Sequence, residues 1–190
     1  MMRKISIFAV ALLAQAGAAA TVAASSPPQG QPYAGQEQRA VTSLSETDVA
    51  ALLDGQGWGL AKPAELNGYP GPAHVLELAD QLELSGEQRS AVQAAFEDMR
   101  SKARATGARY VAAEKAIDAA FREGLAADAL RDRLAEAERL RAELRLIHLS
   151  AHLQVTPLLT GHQKHLYNQL RGYGGGKPHD GHQHNMKHGH

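Results

Sequence analysis

The chain has 190 residues, 44% hydrophobic but only 5% aromatic, and its 20 basic and 20 acidic residues give a formal charge of zero. That balance argues against nucleic acid as the main partner, because neutralising phosphates needs a basic surface. The sequence contains no cysteine, which excludes disulfides, thiolate metal sites and lipidation at a cysteine. The length suits one domain with appendages, and abundant alanine and leucine favour helices over a sheet.

Residues 1–24 read as an export signal. Arg3 and Lys4 form a positive start, Ile5 to Ala20 is apolar, and Ala18-Ala19-Ala20 or Val22-Ala23-Ala24 offers a small-residue cleavage site. The apolar run falls short of the ~20 residues of a spanning helix. Removing Arg3 and Lys4 from the 20 basic residues would leave 18 against 20 acidic ones, a net of about −2. Export with the signal cleaved is therefore expected. Residues 25–44, rich in Ser, Pro, Gly and Gln, read as a disordered lead-in.

Residues 45–71 read as a short helix and an ordered loop. Ser45-Glu46-Thr47-Asp48 resembles a helix start, Val49, Leu52 and Leu53 give an apolar face, and Gly55 ends it. Trp58 and Tyr69 are expected to anchor the loop by packing. Pro72 suits the first residue of a helix running to about Leu82.

One phrase occurs twice beyond this point, as Leu84-Ser85-Gly86-Glu87-Gln88 and Leu159-Thr160-Gly161-His162-Gln163. In each, a hydroxyl residue precedes a glutamine by three places, the spacing of a capping box, so each predicts a helix start. After the first, Val92, Phe96, Met99, Ala103, Thr106, Tyr110, Ala113, Ile117 and Ala120 recur at steps of four and three. That is heptad spacing, and it predicts a helix from about Gly86 to Glu123, roughly 57 Å long at 1.5 Å per residue. A return helix over about 126–156 carries Leu130, Leu134, Ala137, Leu140, Leu144, Ile147, Ala151 and Val155, with Arg and Glu on its outer face. Pro157 ends it, and a last helix runs from Thr160 to Gly172. The expected fold is all-α, a long antiparallel helical hairpin with short flanking helices. Its alanine-rich seam is thin, so a second copy is the expected cover, in a homodimer.

The two LTxxQ-type phrases, the cysteine-free helical hairpin and the cleavable signal resemble the Spy/CpxP family of periplasmic proteins, with its metal-responsive relatives ZraP and CnrX. The resemblance covers about Gly71 to Arg171, and Ser85 departs from the threonine of the motif while keeping its capping role. It implies a curved antiparallel dimer in residues 72–172. It further implies an ATP-independent chaperone, an envelope-stress factor or a metal-responsive protein.

Ten histidines stand out. His179, His182, His184, His188 and His190 lie in the tail 173–190, after Gly174-Gly175-Gly176, and imidazoles on a flexible chain can gather around Zn, Cu or Ni. The bland alternative is a solubilising tail. His148 and His152, spaced i, i+4, share a helix face and could ligate one metal, with His74 as a third ligand if the short helix folds back; the alternative is a pair of core histidines. His162 and His165 are expected on the surface. Leu149 stands where a His-Glu-x-x-His zinc protease needs its glutamate.

No phosphate-binding glycine loop with a following lysine is present, and no nucleophile, base and orienting acid can be assembled. The first functional reading is a chaperone whose partners are unfolded or misfolded envelope proteins. The second is a Zn, Cu or Ni sensor or buffer, acting with a membrane sensor protein. An enzyme comes last.

Overall fold

A helix starts where its orphan backbone donors find side-chain acceptors, and three such boxes set the elements of this chain. The computed structural model describes residues 31–124 and 126–173. The chain divides into two compact units, 1–34 and 35–190. The described residues of the first form a turn, closed by the Ala34 amide on the Gln31 carbonyl at 2.9 Å. Those of the second make a short 3-10 turn at Gln36–Gln38 and six helices: α1 (Glu46–Asp54), α2 (Lys62–Glu65), α3 (Pro72–Glu77), α4 (Gly86–Glu123), α5 (Ala127–Val155) and α6 (Gly161–Leu170). A second 3-10 turn, Thr156–Leu158, leaves α5 at Pro157. No strand occurs among the described residues, and none of their helices is long and apolar enough to cross a membrane. The all-helical class is as expected.

Ser45, Ser85 and Thr160 each accept the amide three residues on, while Asp48, Gln88 and Gln163 reach back to the N-cap amide. The two glutamines also bond to each other. Gln88 Nε2 donates to Gln163 Oε1 at 2.9 Å, and Gln163 Nε2 donates to Gln88 Oε1 at 3.0 Å. Their remaining donors go to the carbonyls of Leu158 (2.8 Å) and Leu82 (3.1 Å), one from each amide. The start of α4 is thereby fastened to the start of α6.

Every α4 position of the heptad seam is buried or half-buried. Ala103, Tyr110 and Val111 of α4 share one core with Ala137, Leu140 and Leu144 of α5. A second core joins Val75, Leu82, Val92, Val155, Leu159 and Tyr167. On α5, Leu134 departs from the expectation, at 50% exposed.

Three further expectations need correction. The lead-in over 25–44 is packed at its end: Val41 and Leu44 are 1% and 4% exposed, and the Thr42 amide and Ser43 hydroxyl bond to Asp118 (2.8 Å) and Glu114 (2.6 Å) of α4. With so few buried residues, this stretch carries no period to read. The loop 57–71 contains α2, with Pro63 in its first turn. Helix α3 stops at Glu77, and the chain turns through Glu83, which takes a left-handed φ of 50°.

Helix α4 also has a second buried face. Val111 and Gly107 sit under α1, and a Cβ at Gly107 would collide with the Leu52 carbonyl group. Gly107→Ala should therefore destabilise by about 1–3 kcal/mol through overpacking, despite the ~1 kcal/mol by which alanine is the better helix former. Gly86→Ala meets nothing within 4 Å and should leave stability unchanged or slightly raised in urea unfolding. In the same assay, Gln88→Ala and Gln163→Ala should each cost about 2 kcal/mol. The double variant should cost about 1 kcal/mol less than their sum, because either change already orphans the other amide.

Candidate functional site: a histidine-walled cavity around Glu65

Pro63 in the first turn of α2 sets the short helix that ends on Glu65, a carboxylate 8% exposed. Four side chains converge on it. The Tyr167 hydroxyl of α6 donates to Glu65 Oε1, His74 Nδ1 of α3 lies 3.3 Å from the same oxygen, and Arg171 Nε lies 3.5 Å from it. His152 Nδ1 of α5 lies 3.8 Å from Glu65 Oε2 and 2.7 Å from the Tyr69 carbonyl. The proton positions follow from these partners. The Tyr69 carbonyl can only accept, so His152 carries its hydrogen on Nδ1. An Arg171 terminal nitrogen stands 3.3 Å from His74 Nε2 and must donate, so His74 carries its hydrogen on Nδ1 and gives it to Glu65.

Burial alone would push Glu65 up, but the hydrogen bonds of His74 and Tyr167 hold it down at about 2. Burial, then the Glu65 hydrogen bond, raises the Tyr167 phenol above its ordinary range. Gly71 completes the fit, since a Cβ there would lie 2.7 Å from His152 Cε1.

Beside this cluster is a cavity of about 370 Å³. Trp58, Leu66, Pro72 and Met99 line it, together with Glu65, His74, His148 and His152. Trp58 donates to Asp48 at 2.8 Å, and its ring centroid stands 5.9 Å from that of Tyr110. His148 is 2% exposed, and its Nε2 has no hydrogen-bond partner. Burial, then the nearby His152, lowers its pKa from the ordinary value, so its ring is neutral at pH 7.

His74, His148 and His152 thus line one cavity. Among the described residues, however, no group of three or more His, Asp or Glu side chains is placed to hold a metal ion. His152 holds its Nδ1 on the Tyr69 carbonyl, and His74 is held between Glu65 and Arg171. His162 and His165 are exposed. The capping residues Leu84, Ser85, Gln88, Leu159, Thr160 and Gln163 lie at the joint of α4 and α6. His179, His182, His184, His188 and His190 lie outside the described residues, as does the signal segment 1–24.

Glu65 escaped the sequence reading because it looks like any surface acid in a loop. Its one local signal is the Lys62-Pro63 pair that opens a helix before it. Trp58 packs as expected, while Tyr69 contributes its carbonyl rather than its ring. No protein-family model, curated protein or solved structure matches the chain.

A carboxylate whose folded value lies below its unfolded value stabilises the fold above the unfolded value and loses that contribution as pH falls through the folded one. For Glu65 the window runs from 4.5 down to about 2. The stability gap between the native chain and Glu65→Gln should accordingly shrink, by up to about 3 kcal/mol, as urea unfolding is repeated from pH 6 down to about 2.

Proposed function

We propose that this chain is a non-enzymatic, periplasmic helical protein of the Spy/CpxP kind, which shields unfolded envelope proteins without nucleotide. The observation that carries this reading is the apolar surface left bare on α5, where Leu146 and Leu153 are 64% and 61% exposed at a seven-residue spacing. Exposed leucines in register on one face mark a surface for apolar partners. Arg141, Arg145, Glu138 and Gln154 lie among them on exposed positions, which suits weak, reversible binding of many sequences.

The order of cross-contacts supports a hairpin. Gln88 meets Leu158, and further along α4 Thr106 Oγ1 reaches Glu143 Oε1 at 3.3 Å, so rising numbers on α4 meet falling numbers on α5. A homodimer remains part of the proposal, with the bare α5 leucines as its contact or as the client surface. The second reading, metal buffering or sensing of Zn, Cu or Ni, rests on the histidines of the tail, since no group of three donors is assembled among the described residues.

Two measurements test these readings. The purified mature chain should suppress light scattering by a chemically unfolded client in the absence of ATP, and Leu146→Glu with Leu153→Glu should lose most of that effect while melting normally. Absence of suppression by the native chain sinks the chaperone reading. In calorimetric titration with Zn, Cu and Ni, binding should disappear on truncation after Gly176 and persist in His148→Ala/His152→Ala. The opposite pattern would move the metal site to α5.

A further inference from the structure

His148 is a titratable group that neither the shielding of clients nor the metal capacity of the tail uses. It stands on α5 at 2% exposure, its Nε2 is buried without a hydrogen-bond partner, and Trp58, Lys62 and Leu66 of loop 57–71 line the same cavity. A neutral imidazole donates from one ring nitrogen only, whereas the cation donates from both. Protonation would therefore put a charge and an orphan N–H on a ring held away from water, and a buried charge is tolerated only when it is paired. We propose that His148 is an acid latch: while its ring is neutral, loop 57–71 packs against α5, and its protonation releases that loop and opens the cavity to water.

The charged and titratable neighbours do not answer a proton on His148. On α5 itself, His152 bonds the Tyr69 carbonyl through Nδ1 and adds only repulsion. From α2 come Lys62, which is itself positive, and Glu65, which is engaged by Tyr167, His74 and Arg171. From α3 comes His74, held between Glu65 and Arg171. Helix α4 puts Met99 in the lining, while its Asp98 and Lys102, which border a separate groove beside Ile147, pair with each other at 2.6 Å. Beyond α6, Tyr173 holds the Arg171 guanidinium 5.7 Å from its ring centre.

The loop is the element that gives way. Helix α5 has 29 residues and shares a core with α4, whereas α2 has four. Within the loop, Trp58 takes a left-handed φ of 43°, which a non-glycine residue adopts only under constraint, so release also removes that strain. A histidine whose folded value lies below its unfolded one stabilises the closed form above the unfolded value, and that contribution is lost as pH falls. Burial and His152 lower His148 from 6.5, and Glu65 begins to lose its own contribution only below 4.5, so the latch opens between those two values. Opening adds Trp58, Leu66 and Met99 to the surface open to apolar partners. That consequence rests on the client-shielding reading, whereas the latch does not.

Trp58 is the chain's single tryptophan and lies in the loop, so its emission reports the latch. Emission and far-UV circular dichroism of the full chain are followed as pH falls from 7 to 4.5, and ring carbon–proton NMR follows the protonation of His148 over the same range. The expected result is one reversible red shift of Trp58 emission between pH 6.5 and 4.5, with the His148 ring protonating in the same step and the helix signal retained. His148→Phe, which keeps a buried ring but takes no proton, should lose the step, and His165→Phe, an exposed position on α6, should keep it. The proposal is overturned by the absence of a step in the native chain, by a step in which the helix signal is lost as well, by His148 protonating with Trp58 emission unchanged, or by a step that survives in a folded His148→Phe. The coincidence of ring protonation and emission in the native chain decides the matter even where a variant does not fold. None of these readouts involves a client, so the latch and the shielding reading fail separately.

Discussion

Two glutamine amides hold this structure in register. Gln88 and Gln163 each cap their own helix, bond to one another through both amide groups, and use the remaining donor on a carbonyl from the opposite segment. All four polar functions of the pair are thus answered at a site where Gln163 is 8% exposed. A buried polar network of this type stabilises only when complete, and it then admits one geometry. That geometry places the start of α6 on the start of α4, which brings Tyr167 and Arg171 over the end of α5 and within reach of Glu65.

The Glu65 cluster depends on that placement. Its ligands come from α3, α5 and α6, so the short segments between α1 and α4 are fixed by polar contacts as much as by apolar burial. Taking a carboxylate out of water is costly, and removing one partner leaves the charge bare. The cluster therefore ties loop 57–71 to the long helices, beside the cavity walled by Trp58, Met99 and His148.

Much of the framework was legible in the sequence because it rests on local rules. Caps depend on residues three places apart, and the seam from Val92 to Ala120 depends on a period, so both can be read along the chain. Gly107 could not be read this way. It looks like a weak helix residue until α1 is laid across it, and only then does the missing side chain become the reason two backbones can approach. Val41 and Leu44 are similar, being two buried residues in a polar stretch with no period to announce them. The pairing of the two capping phrases was also out of reach, since each phrase is complete in itself as a helix start, and only the tertiary fold brings Gln88 to Gln163.

The i, i+4 pair of His148 and His152 shows why a ligand motif does not fix a site's chemistry. The spacing puts both rings on one face of α5, as the sequence implies, but a ring nitrogen is available only if nothing else has claimed it. The Tyr69 carbonyl claims Nδ1 of His152, and Gly71 lets that loop come close enough to do so. His148, one turn earlier, is among the residues that line the cavity, and its Nε2 is buried without a hydrogen-bond partner. Identical side chains four residues apart thus have different surroundings, one holding the loop and the other buried with its Nε2 unpartnered. A metal would demand several free donors at once, and among the described residues no such group is assembled.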